Sequence, residues 1–167
     1  MHDRPKPPPP KVPLSWLMIV RGPKTFKLDQ AITKATGFSL GCFQIALHRR
    51  ERYYPSLVLT TVGRKSQLLR SAVLPYVEVN GERVIVASLG GGPAEPEWAK
   101  NLRAEPRCWI SVHRQTIAVA ARELEGDERA HALKLIGEGR KSVLDYDERA
   151  AGNGRLMALF GVRPINP

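Results

Sequence analysis

The residues Gly63-Arg64-Lys65-Ser66, with Arg70 four positions further on, gather three cations and a hydroxyl around one glycine turn. Phosphate and carboxylate binding uses that mixture. Arg acts as a bidentate fork, Lys as a compact point charge, and Ser and backbone N–H groups as directional donors. The spacing is not that of a nucleotide P-loop, because Gly-x-x-x-x-Gly-Lys is absent. Read alone, the turn is either an anion cradle or a solvated hairpin tip.

Three further segments carry chemistry. Val86-Ala87-Ser88-Leu89-Gly90-Gly91 places small residues at a strand end, where a flat ring can approach the backbone; a flexible hairpin exit is the plainer reading. In Pro96-Glu97-Trp98-Ala99-Lys100-Asn101-Leu102, Trp98 and Leu102 are four apart, the spacing of core packing on one helical face, and Asn101 is free to hydrogen-bond the adjacent glycine loop. Asp145-Tyr146 offers one phenol, either a half-buried packing residue or a proton donor to a substrate receiving hydride.

The order and spacing of these segments, over roughly Leu57 to Tyr146, resemble the deazaflavin (coenzyme F-420)-dependent nitroreductase family of split β-barrel oxidoreductases. The resemblance implies a reduced 5-deazaflavin coenzyme carrying a phosphate and an acidic tail. Its cofactor-binding set would be Gly63, Arg64, Lys65, Ser66, Arg70, Val86, Ala87, Ser88, Gly90, Gly91, Trp98 and Asn101, with Tyr146 and Ser88 as catalytic candidates. Three positions near the expected cofactor site depart from the family pattern: Gln67 replaces a common Gly, Leu69 a common Pro, and Leu89 a Lys of several relatives. Arg140 and Val143 occupy two positions where relatives often present tyrosines, which sets bicyclic nitroimidazole reduction in question.

The elements that must hold these residues read as follows. Strands are expected at Leu57–Val62, Leu69–Val79, Arg83–Ser88, Cys108–His113, Gln115–Arg122 and Arg155–Val162. Asn80-Gly81 signals a type I′ hairpin. Helices are expected at Pro96–Ala104, Asp127–Glu138 (capped by Gly-Asp) and Ser142–Ala150, and a further one from Phe38 to Arg50 with cations at its C-terminal end. The sum is an α+β antiparallel split barrel of the FMN-binding-like type, with short helices between hairpins and an N-terminal helical segment. Domain bounds are a Pro-rich tail over 1–13, a helical segment over 14–52 and a cofactor-binding barrel over 53–167.

Composition narrows the classes. The 167 residues hold 43% apolar side chains and a net charge of +10. The excess is uneven, since residues 1–52 carry ten Lys/Arg against three Asp/Glu. That balance suits an acidic ligand or an anionic membrane surface. Nucleic-acid binding is set aside, because no recognised module or aromatic interleaving accompanies the charge. The N-terminal third reads as a mobile segment over the substrate mouth that touches anionic lipid, or as a cap on the barrel. Cys42 and Cys108 stand in no metal or redox spacing, the histidines are scattered, and no metal site is expected. No apolar run reaches the roughly 20 residues that span a bilayer, and no leader pattern is visible, so a cytoplasmic protein is expected, at most peripheral to the membrane's inner face. Oligomeric state stays open.

The reading is therefore an oxidoreductase moving hydride from reduced deazaflavin to an electrophilic small molecule, an enone, quinone or nitro-heteroarene. The alternatives are a non-catalytic fatty-acid or cofactor-binding protein of the same fold, or a relative using FMN or haem.

Overall fold

The computed structural model describes Ile19, Val20 and residues 22–165; the Pro-rich tail and most of Leu14–Val20 fall outside that range. Runs rich in apolar and β-branched residues form six strands: β1 (Ser56–Val62), β2 (Leu69–Val79), β3 (Glu82–Val86), β4 (Arg107–Val112), β5 (Gln115–Glu123) and β6 (Leu159–Pro164). They close an antiparallel barrel in the order β1-β2-β3-β6-β5-β4. Leu57, Leu59, Ile85, Ile110, Val119 and Phe160 fill its interior. Each such side chain contributes about 1.5–3 kcal/mol on burial.

Turn chemistry sets the registers. Asn80 and Gly81 both take positive φ, 51° and 79°, as a type I′ turn requires. The β4–β5 turn uses the same conformation at His113 and Arg114 (φ 50° and 62°), without any glycine to announce it. The last strand begins at Leu159 and not at Arg155, which frees Arg155 for a different task.

A second apolar layer lies outside the barrel. Helices α4 (Gly126–Gly139) and α5 (Lys141–Gly152) bury Ile136, Val143 and Ala150 against Val79, Val84, Met157 and Leu159. The expected Gly-Asp cap of α4 is absent. The helix starts at Gly126 itself with no side-chain cap, and Asp127 and Glu128 complement the helix dipole from within its first turn. Helix α3 (Glu97–Ala104) crosses near β1 and β2.

The N-terminal segment is docked from Gly22 on. Helix α1 (Gly22–Thr36) carries Pro23 in its first turn, where the missing N–H costs nothing. Its buried Asp29 accepts from Ser39 Oγ (2.9 Å) and the Leu40 N–H (2.7 Å), so one carboxylate organises the start of helix α2 (Leu40–Arg49). The Arg114 N–H donates to Lys34 O and the Ser56 N–H to Gly37 O, tying both helices to the barrel end. A Cβ on Gly37 would lie 2.9 Å from the His113 ring. The mobile reading of this segment gives way to capping for residues 22–49, because its polar contacts are buried and specific.

Candidate functional site

The basic turn between β1 and β2 is a rigid loop. The Gly63 N–H donates to Leu68 O (2.8 Å) and the Gln67 N–H to Gly63 O (2.7 Å). A Cβ on Gly63 would lie 2.8 Å from Ser66 Oγ and 3.1 Å from Leu68 O, so a larger residue would crowd the turn. Gln67 sits at φ 56°, the left-handed conformation that the glycine common at this position adopts without strain. Asn101 of α3 fastens the turn: its Oδ1 accepts from the Arg64 N–H (3.1 Å) and its Nδ2 donates to Thr61 Oγ1 (3.2 Å). The expectation that Asn101 holds the later glycine loop is corrected, because its amide faces β1.

A cavity of about 510 Å³ opens against this turn, lined by Gly63, Arg64, Lys65, Ser66, Arg70 and Ser71 with Trp98 and Asn101 at its floor. Its cations are not equivalent. Arg64 Nη1 is 2.7 Å from Glu97 Oε2, and Lys100 Nζ is 2.7 Å from Glu97 Oε1. Lys100 and then Arg64 hold the Glu97 carboxyl below its usual range, so it stays ionised. Lys65 and Arg70 have no anionic partner among the described residues. Trp98 packs edge-on to Phe160 (centroids 5.8 Å apart) and Leu102 is buried, so the core spacing holds while Trp98 also borders the cavity.

β2 leads from this cavity to a second one. Arg70, Ser71 and Ala72 line the first, and Val73 to Val77 line the second, of about 280 Å³. The second is mainly apolar, with Val84, Val86, Ile136 and Val143 in its wall and Ser88, Gly90, Arg140 and Tyr146 as polar groups. Tyr146 is nine-tenths buried, and two guanidinium groups lie near its ring, Arg49 at 5.1 Å and Arg149 at 5.9 Å from the centroid. Its hydroxyl makes no hydrogen bond to another described residue.

The glycine loop is anchored from the α5 end by side chains that the sequence did not single out. Arg155 donates from Nη1 to Ala87 O (3.2 Å), from Nη2 to Ser88 O (3.0 Å) and from Nε to Gly92 O (3.2 Å). Arg149 donates to Gly90 O and Asn153 to Gly91 O. A Cβ on Gly91 would lie 2.6 Å from Tyr146 O, so only glycine lets α5 come this close. Their signal in the sequence was slight: three polar residues around the expected end of a helix. Of the predicted residues, Gly63 to Arg70, Trp98 and Asn101 gather at the first cavity, and Val86, Ser88, Gly90 and Tyr146 at the second. Ala87 points into the barrel core and Gly91 is buried against α5, so both act through the backbone.

A family model described as F420H(2)-dependent quinone reductase matches residues 44–163. The chain belongs to that family. An F420H(2)-dependent quinone reductase of Mycobacterium tuberculosis (strain H37Rv) is 32% identical over 139 residues, which cover 81% of this chain and 89% of the relative. A solved structure described as an F420-H2 dependent reductase is 36% identical with a TM-score of 0.57, over 65% of this chain and 94% of that one. Another, described as a domain-swapped dimer, has the same identity and TM-score and covers 80% of its own length.

This member of the F420H(2)-dependent quinone reductase family is accordingly an oxidoreductase that uses the reduced deazaflavin coenzyme on a small-molecule substrate. Its residues fit that group. Two unpaired cations stand at one end of β2, and an apolar cavity with a free phenol stands at the other. No metal-ligating cluster exists among the described residues. Burial pushes the Cys108 thiol up to about 12 and raises Cys42 as well, which leaves both as inert thiols near neutral pH. No described helix is long and apolar enough to cross a membrane.

Proposed function

We propose that the chain reduces quinones with this coenzyme. The observation that supports it is the course of β2 from an anion-binding cavity to an apolar cavity with one free phenol. In this reading Lys65 and Arg70 hold the coenzyme's phosphate and acidic tail by charge-assisted contacts. Arg64, shared with Glu97, contributes mainly its backbone to the turn. Val86, Ser88 and Gly90 line the place of the ring; Arg155 holds the carbonyls of Ala87, Ser88 and Gly92, and Arg149 that of Gly90. When bound, the reduced deazaflavin supplies hydride to an electrophilic carbon. Tyr146 Oη donates the accompanying proton to the substrate oxygen, with Ser88 as the other hydroxyl at that cavity. Val73, Val77, Ile136 and Val143 exclude water and favour a flat apolar substrate. A quinone meets these demands; an enone or nitro-heteroarene shares the electrophilic carbon and is the broader class.

Fluorescence titration with the deazaflavin coenzyme and with FMN, followed by turnover with menadione, tests the reading. Tighter binding of the deazaflavin and consumption of its reduced form are expected. Preference for FMN, or coenzyme binding without turnover of any quinone, would overturn it in favour of an FMN enzyme or a binding protein.

A second reading concerns lipid. Phe43 and Leu47 lie one turn apart on α2 and are exposed, followed by Arg49 and Arg50. That face suits peripheral contact with an anionic bilayer, each cation contributing on the order of 1 kcal/mol, screened by salt. Sedimentation with phosphatidylglycerol vesicles at physiological salt should carry the protein down, and Phe43→Ser with Leu47→Ser should abolish it. Protein that stays in the supernatant rejects this contact.

A further inference from the structure

Next to the apolar cavity lies a basic cleft that the proposed reaction does not use. It measures about 540 Å³ and forms where the connector from α2 to β1 meets the junction of α4 and α5. Arg49, Arg50, Arg52 and Lys141 line it together with two carboxylates, Glu51 and Glu138, and with Tyr54. The backbone beneath them is fixed. Arg50 ends α2 in the left-handed conformation (φ 56°), and the Arg52 N–H donates to Gly139 O at 2.9 Å.

Two of the cations rest on aromatic rings shared with the apolar cavity. The Arg49 guanidinium lies over Tyr146 and that of Arg52 over Tyr54, 5.1 and 5.4 Å from the ring centroids. Tyr54 and Tyr146 both line the apolar cavity. Arg140 stands at the same wall; its buried Nε makes no hydrogen bond and lies 3.9 Å from Glu51 Oε2 as an ion pair.

The acid nearest to these cations in sequence is already engaged. Glu51 accepts from the Ser142 N–H (2.6 Å) and Ser142 Oγ (2.8 Å), so it caps the start of α5. Among the described residues, none of Arg49, Arg50, Arg52 or Lys141 forms an ion pair. Four cations against two carboxylates leave the cleft net positive, and an anion entering it is attracted to that excess.

We propose that the substrate carries an acidic group, a carboxylate or sulfonate, that this cleft binds while the reducible ring occupies the apolar cavity. The inference rests on the reading of the chain as a quinone reductase and assigns its substrate class. No bond changes in the cleft, so the hydride and proton steps stay as described.

The test compares menadione with a naphthoquinone sulfonate, in the absence of lipid, for the full chain and for Arg52→Gln/Lys141→Gln. The parent should favour the sulfonate in kcat/KM by about tenfold or more, mostly through KM, and the double variant should lower that ratio by about tenfold. Dissociation constants of the same two quinones, from quenching of intrinsic fluorescence, read the cleft even where turnover is slow. A ratio near one in the parent, or a ratio unmoved by the double substitution, overturns the proposal. Failure of both quinones to be reduced bears on the enzyme reading alone, and the binding constants then still decide this one.

Discussion

Arg64 Nη1 lies 2.7 Å from Glu97 Oε2 across the mouth of the cationic cavity, and this pairing places a carboxylate beside the phosphate end of the proposed coenzyme site. Lys100 and Arg64 hold the Glu97 carboxyl low, so its negative charge persists at every physiological pH. Glu97→Gln removes that charge and releases Arg64. The coenzyme should then bind about three- to tenfold more tightly, with the gain shrinking as salt rises. Isothermal titration at two salt concentrations checks this; weaker binding would mean that Glu97 orients Arg64 for the ligand.

Arg70 has no such partner among the described residues. Arg70→Ala should weaken the coenzyme by about ten- to a hundredfold and leave the melting temperature nearly unchanged, because the side chain is exposed and unbonded. An affinity within twofold of the parent would show that Arg70 is only solvated.

Tyr146→Phe keeps the ring near Arg49 and Arg149 and deletes only the hydroxyl. Turnover should fall by about a hundredfold with coenzyme affinity intact. Stopped-flow oxidation of the reduced coenzyme by menadione separates the two parameters. An unchanged rate would reassign the proton to Ser88 or water.

Arg155 is a positioning residue, touching the loop and not the substrate. Arg155→Met should strip three donors from the carbonyls of Ala87, Ser88 and Gly92 and lower kcat by about tenfold through a loosened ring site. Arg155→Lys should recover part of the rate. A loss of melting temperature with kcat preserved would confine Arg155 to stability.

Local sequence determined much of this protein. Asn80-Gly81 specifies its turn because few other residue pairs take positive φ at two successive positions. The short apolar, β-branched run of Leu57 to Val62 specifies a strand because such side chains pack well on a pleated, buried surface. The cationic turn and the Trp98–Leu102 helix were legible for the same reason: their residues are neighbours in the chain and carry their own spacing. What tertiary structure alone decided involves residues far apart in sequence. Glu97 neutralises Arg64 from 33 positions away, and Arg155 reaches Ala87 across 68. Arg49 meets the Tyr146 ring only because α2 and α5 dock on the same side of the barrel. Helix α1 gave no clear periodic signal, since its buried residues are the polar Asp29 and Thr33, whose burial depends on Ser39, Leu40 and Phe38 accepting or donating in return. Spacing reports which face a residue occupies, but charge compensation and polar burial depend on what the rest of the chain brings to that face.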